Sequence, residues 1–393
     1  MRAHNIAARA AVAVTAVSAL LLPSVVTTAD AKPINPDNPL TVMTRNLYLG
    51  ADIQRPLRAV AGVTDPSLAL VRLANANNLT RAIVDKTDFP RRSDLLTDEI
   101  VANQPDLVAL QEVALWRHGP LELDPAKIAV PNAQTVDYDF LQILLDDLAS
   151  TGLVYTPVRV QQESDVEAPA FTGVPPAITD ARDVRLTMRD VVLMRSRPGL
   201  TLVGTGGGNY DDELVVPLAG KGMAFTRGFA WADVKVGAKK VRFINTHLEA
   251  FGSDHALAQA KELLAGPADE EGTTTIIACD CNSDPLDSRL SNGVEHRAPY
   301  DLIVDSGFTD EWLQWRPAAE GWTSGLGELV NDATPAGFDH RIDMIFARTP
   351  SGKPLDVETG RVTGTQLADR DALTGLWPSD HGGVVLTLSG KDS

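Results

Sequence analysis

The stretch Thr275-Ile-Ile-Ala-Cys-Asp-Cys-Asn-Ser-Asp-Pro285 decides how the chain is read. Its apolar start and β-branched residues predict a strand, and Asn-Ser-Asp-Pro ends it. Side chains alternate along a strand, so Asp280 and Asn282 share one face with Ile276 and Ala278. Cys279 and Cys281 fall on the other face with Ile277. An acid and an amide therefore project together from the end of an apolar strand. Such a pair suits orienting a water beside an anionic oxygen, although Asp and Asn also serve simply to terminate strands.

Four more segments repeat this arrangement. Asn245 and His247 share a face at the end of Val241–Leu248, and Gln111-Glu112 follows the apolar run Leu107–Leu110. Arg341 and Asp343 flank Ile342, where a plain salt bridge is the alternative. In Trp377-Pro-Ser-Asp-His-Gly-Gly-Val-Val-Leu386, Asp380 and His381 precede a closing strand. Buried carboxylates demand a partner or a metal. Oxygen-rich ligands without thiolates suit a hard cation such as Mg²⁺ or Mn²⁺. With imidazoles alongside, that set matches the needs of phosphate-ester hydrolysis.

Around these strand ends, helical spacing predicts helices over 67–84, 93–103, 138–148 and 255–264. Strands are predicted at 40–48, 107–113, 191–194, 229–236, 241–248, 273–278, 342–347 and 384–388, with a hairpin at Gly237. Glu167–Pro176 reads as a Pro-rich loop. No internal repeat is visible. The first 31 residues have a basic start, an apolar run over 10–22 and Ala29-Asp30-Ala31. This is the layout of a secretory signal, and it predicts an extracellular protein with one catalytic domain over 32–393. The alternative, a membrane anchor, is disfavoured by the short run, and no later stretch is long and apolar enough to span.

The formal net charge is −17, and near −18 once Arg2, Arg9 and Asp30 leave with the first 31 residues. Such a surface repels polyanions, although Arg182, Arg185, Arg189, Arg195 and Arg197 offer a local basic patch. Cys279 and Cys281 are expected to be buried fillers, because an ideal strand sets such a pair about 6.6 Å apart with parallel side chains. Trp312, Trp315 and Trp322 cluster in one segment, where they either pack over a sheet edge or touch a membrane surface.

Taken in order, Thr44-Arg-Asn46, Leu110-Gln-Glu-Val113, Asn245-Thr-His-Leu-Glu249, Asp280-Cys-Asn282, Arg341-Ile-Asp343 and Ser379-Asp-His381 resemble the signatures of the endonuclease/exonuclease/phosphatase superfamily. The resemblance runs from about Thr41 to Leu388. It implies a four-layer α/β sandwich, with two mostly antiparallel β-sheets flanked by helices. It implies Glu112 as the main metal ligand, Asn46 as a support for metal or phosphate, and Asp380 near the metal. Asp280 is implied to align or deprotonate the water, and Asn282 to contact the phosphate. His247 is implied to contact the phosphate or donate a proton, and His381 to pair with Asp343 and contact the phosphoryl group. Asn245 and Arg189 are counted as substrate contacts, with plain surface charge as the alternative for Arg189. The family often writes Gly-Asp-Phe-Asn where this chain has Cys279-Asp-Cys-Asn282. The expected activity is a divalent-metal-dependent phosphodiesterase on a lipid or small organic phosphate. A secreted nuclease and a non-catalytic binding module on the same scaffold are the rivals.

Overall fold

The computed structural model describes residues 39–389, apart from 125–126, 128–129 and 219–220. The secretory segment read at 1–31 lies outside the described residues. Two sheets dominate. The larger runs β17 (Asp356–Thr363), β18 (Gly383–Ser389), β1 (Leu40–Asn46), β2 (Leu107–Gln111), β6 (Ala177–Arg195), β3 (Leu115–Gly119) and β4 (Thr135–Asp139), with β5 (Tyr155–Val174) paired to β6. The smaller runs β15 (Thr309–Asp310), β16 (Asp343–Arg348), β12 (Thr274–Asp280), β11 (Lys239–His247), β10 (Gly228–Val236) and β7 (Leu200–Asn209). Two short hairpins join β8 (Leu214–Leu218) to β9 (Lys221–Phe225) and β13 (Leu290–Ser291) to β14 (Val294–Glu295). The helices are α1 (Gln54–Val60), α2 (Pro66–Lys86), α3 (Phe89–Asn103), α4 (Phe140–Ser150), α5 (Ser253–Ala265), α6 (Ala298–Asp305) and α7 (Glu311–Trp315).

Each sheet contains one parallel pair set among antiparallel neighbours: β1 with β2, and β11 with β12. Val42, Leu107, Ala109 and Val192 of one sheet meet Ala232, Phe243, Ile276 and Ile345 of the other in the central core. Leu96, Ile100, Phe140 and Leu144 of α3 and α4 cover the outer face of the larger sheet. Ala256, Ala260, Leu263 and Ile303 of α5 and α6 cover the smaller one. These are the four layers that the resemblance implied. Local chemistry starts the helices: the Asp65, Asp88 and Asp139 carboxylates accept amide hydrogens of the first turns of α2, α3 and α4.

Three expectations are corrected. Glu167–Pro176 is not a loop: β5 continues to Val174 and pairs with β6 through Val174 opposite Ala177. Its prolines are tolerated because β5 is an edge strand whose register shifts at three points. Cys279 and Cys281 form a disulfide, with Cα atoms 5.1 Å apart. The strand ends at Asp280 and Asn282 turns to φ +42°, so Cys281 leaves the ideal strand spacing that argued against bridging. The arginines make no free patch. Arg185 pairs with Asp165, Arg189 with Asp139, and Arg195 and Arg197 both with Asp106, while Arg182 donates to Asn78. Trp312 and Trp315 pack edge to face, and the Trp312 indole donates to Ala319 O.

α7 also carries a buried liability. Glu311 is fully buried, and burial pushes its carboxyl up to about 8. The folded state then holds a proton that the unfolded chain has released between the ordinary Glu range and pH 8, so this group's contribution weakens as pH rises through that window. Glu311→Gln is expected to flatten the decline. At pH 8 it should gain about 1–3 kcal/mol over the parent, read by denaturant titration at pH 5 and pH 8. Parallel pH profiles for parent and variant would contradict this.

Candidate active site

The two parallel pairs end on the same rim, and this brings the chemistry together. Asn46 ends β1, Glu112 follows β2, His247 ends β11 and Asp280 ends β12. Asp343 opens β16 directly opposite Asp280. At this rim a contact crosses between the sheets: Asn46 Nδ2 donates to Asp280 Oδ2 at 2.9 Å. Glu112 sits at φ +55°, a conformation costly for a residue with a Cβ. It is held there as its Oε2 accepts the Leu49 amide hydrogen at 2.7 Å.

His381 Nδ1 lies 2.9 Å from Asp343 Oδ2 and 3.7 Å from Asp280 Oδ2. Burial opposes charge on this ring, but Asp343, Asp280 and Asp380 outweigh it and hold His381 well above the ordinary imidazole range. His247 behaves oppositely. Burial, then Arg227 and His381, keep it well below that range and hence neutral. Arg227 Nη1 lies 3.0 Å from His247 Nδ1. A guanidinium only donates, so Nδ1 accepts and the ring proton sits on Nε2, 3.4 Å from Asp280 Oδ2. Burial and the neighbouring Asp343 and Glu112 charges push Asp280 up to about 7, against the pull of His381 and Asn46. Asp380 rises to about 6, from burial and Glu112.

Buried arginines hold these groups in place. Arg92 is fully buried and donates to four carbonyls: Thr87, Leu47, Tyr48 and Pro378, at 2.7 to 3.0 Å. It thereby locks the turn after β1 to the loop that carries Asp380 and His381. Arg45 donates to His381 O and to Glu99 Oε1, the latter at 2.9 Å. Glu99 also accepts from Thr363. Arg227 bridges His247 to Glu249, whose other oxygen accepts the Ala250 and Phe251 amide hydrogens. None of these three arginines was assigned a role from sequence. Arg45 stood inside a quoted motif, and that was the one available signal.

Glu112, His247, Asp280, Asn282, Asp380 and His381 line one cleft of about 1260 Å³. Asn282 Nδ2 donates to Leu248 O at 2.9 Å. Asp343 sits behind His381, and Asn46 behind Asp280. Two expected substrate contacts are not brought to the cleft. Asn245 is fully buried between the sheets, donating to Leu110 O and Val191 O and accepting from Gln111. It shares a face with His247, but two residues back from the strand end that face is covered by β2 and β6. Arg189 donates to Val113 O, Ala114 O and Asp139, so it braces the segment after Glu112.

The sequence matches the Endonuclease/Exonuclease/phosphatase family over residues 73–381, most of the chain and every candidate residue except Asn46. The chain belongs to that family. A solved endonuclease/exonuclease/phosphatase family protein from Bacteroides thetaiotaomicron is 16% identical, covers 90% of this chain and 99% of its own, and superposes with a TM-score of 0.50. An endonuclease/exonuclease/phosphatase from Beutenbergia cavernae is 22% identical over 90% of this chain and 72% of its own, with a TM-score of 0.46. A mannosyl-6-phosphatase of Bacteroides thetaiotaomicron is 17% identical over 89% and 99%, with a TM-score of 0.48. No curated protein sequence matches significantly. Endonuclease/exonuclease/phosphatase members are hydrolases of phosphate esters.

Members of the endonuclease/exonuclease/phosphatase family typically use divalent metals, and the residues here fit one. Glu112, Asp280 and Asp380 crowd one cleft, and their mutual charge helps raise two of them. Asp343 Oδ1 is buried without a hydrogen-bond partner. Ligating atoms of Asp280, Asp343 and His381 lie within 4.8 Å of one another, the tight group among the described residues. This is a different trio from the expected Glu112, Asn46 and Asp380. Asn46 already spends its amide on Asp280 and the Tyr48 amide hydrogen. No helix among the described residues is long and apolar enough to cross a membrane.

Proposed function

We propose that the protein is an exported phosphodiesterase, dependent on Mg²⁺ or Mn²⁺, that acts on a lipid or small organic phosphate. The observation that carries this reading is the cleft itself. Five acids and imidazoles converge in a wall whose described residues include one arginine, Arg227, and no lysine. A polynucleotide binder needs several cations along its groove. Here Arg227 is spent on His247 and Glu249, and the five arginines of the expected patch are engaged by Asp165, Asp139, Asp106 and Asn78. The layout of residues 1–31 supports export.

Asp280 accepts the proton of the attacking water as the water oxygen bonds to phosphorus, and the ester P–O bond opposite breaks. Its raised basicity suits that task near neutral pH. His247 offers its Nε2–H to a phosphoryl oxygen. His381, charged and braced by Asp343, offsets developing negative charge and supplies a proton to the leaving oxygen. Asn282 stands beside Asp280 to orient the ester. Glu112 and Asp380 would hold a hard divalent cation, which when bound would add charge stabilisation at the phosphoryl oxygens.

The test is turnover of a chromogenic phosphodiester by the metal-loaded chain, with and without chelator. Turnover should vanish with chelator and return with Mg²⁺. Glu112→Gln should raise the Mg²⁺ concentration for half-activity by about tenfold or more, with partial rescue at high Mg²⁺. A folded, metal-loaded chain that hydrolyses no diester would favour the non-catalytic binding module.

A further inference from the structure

The catalytic residues occupy only one end of their cleft. The remainder is a long apolar arm between α1, α2, the β5–β6 hairpin and β9. Its wall follows α2 from Pro66 to Thr80. At 1.5 Å per helical residue, that is about 21 Å. Leu57, Leu70, Leu73, Val166, Met223 and Phe225 line this arm, and all six are half-buried. None belongs to any of the four apolar cores. Their side chains therefore face the cavity and do not fill the interior, and they leave apolar surface against water at a cost that an apolar occupant removes.

Charged groups along the arm are already committed. Asp52 pairs with Arg58, Glu328 with Arg55, and Glu167 accepts the amide hydrogens of Asn132 and Ala133. Among the described residues of this arm no arginine or lysine meets a phosphate backbone. The arm is also continuous with Glu112, His247, Asp280, Asp380 and His381. We infer that the arm seats an aliphatic chain of the substrate, esterified to the phosphate that the catalytic end holds. This rests on the phosphodiesterase reading and specifies its substrate class as an alkyl- or acyl-bearing phosphodiester, taken up one molecule at a time.

The test uses the metal-loaded chain and a series of 4-nitrophenyl alkyl phosphodiesters, from methyl to octyl, below their micellar concentrations. kcat/KM should rise about threefold to fourfold for each added methylene, the factor for one fully buried CH₂. The double variant Leu73→Ser with Phe225→Ser should lower the octyl-to-methyl ratio by at least about tenfold, with thermal unfolding confirming the fold. If that variant does not fold, the slope of the parent protein still decides. Turnover with a flat chain-length profile, or faster turnover of a DNA oligonucleotide than of the octyl ester, overturns the inference and leaves a hydrolase standing. Titration with methyl and octyl phosphate separates the other failure: chain-dependent binding without hydrolysis of any diester supports the arm and sinks the phosphodiesterase reading.

Discussion

Asp280→Asn lowers kcat by a factor of about 10²–10⁴ while the thermal midpoint stays level or rises. The loss follows from removing the proposed acceptor of the water's proton, since Glu112 and Asp380 are assigned to the cation and neither imidazole takes its place. His247 is neutral but its free Nδ1 is occupied by Arg227, and His381 is already charged. The fold is spared because the substitution is nearly isosteric, and an amide oxygen still accepts from Asn46 at the same place. It also removes one negative charge from a buried group crowded by Asp343 and Glu112. Steady-state kinetics on a chromogenic diester, alongside a thermal scan, reads both halves. Full activity in the variant would move the proton acceptor elsewhere.

The second large effect is structural. Arg92→Met should destabilise the protein by about 3–5 kcal/mol, because the lost guanidinium leaves four buried carbonyls without their donor. Burial already holds Arg92 down to about 10, so its charge is retained at a cost that only those contacts and nearby acids offset. Arg92→Lys should recover little, since three fixed nitrogens reach the four carbonyls and an ammonium has one. Denaturant unfolding measures the loss. Activity should fall further than the unfolded fraction explains, since the turn holding Glu112 and the loop holding His381 lose their common anchor. A change below about 1 kcal/mol would show that water replaces the guanidinium.

The catalytic strand ends were legible because alternation is local. From Ile276 to Asn282 the sequence itself sets which residues share a face, and the same holds for Asn245 with His247. What alternation does not supply is cover: it cannot say that β2 lies over Asn245 while the face beside His247 stays open. The bracing arginines were illegible for a related reason. Arg92 and Pro378 are 286 positions apart, and Arg45 and His381 are 336 apart, so neither pairing leaves a local pattern. The β5–β6 hairpin was partly hidden by prolines at Pro157 and Pro169, which an edge strand accepts and a central one does not. The disulfide was misjudged because ideal strand geometry was applied one residue past the strand's end.

Among the described residues the last strand, β18, pairs along the first, β1, from Leu40 opposite Leu388 to Thr44 opposite Val384. Asp380 and His381 stand directly before β18, so the pairing of β18 with β1 fixes where they sit relative to Glu112, His247 and Asp280. Contacts so remote in sequence form slowly. On the proposed roles, a chain in which β18 has not joined β1 lacks two residues of its cleft and turns over no diester.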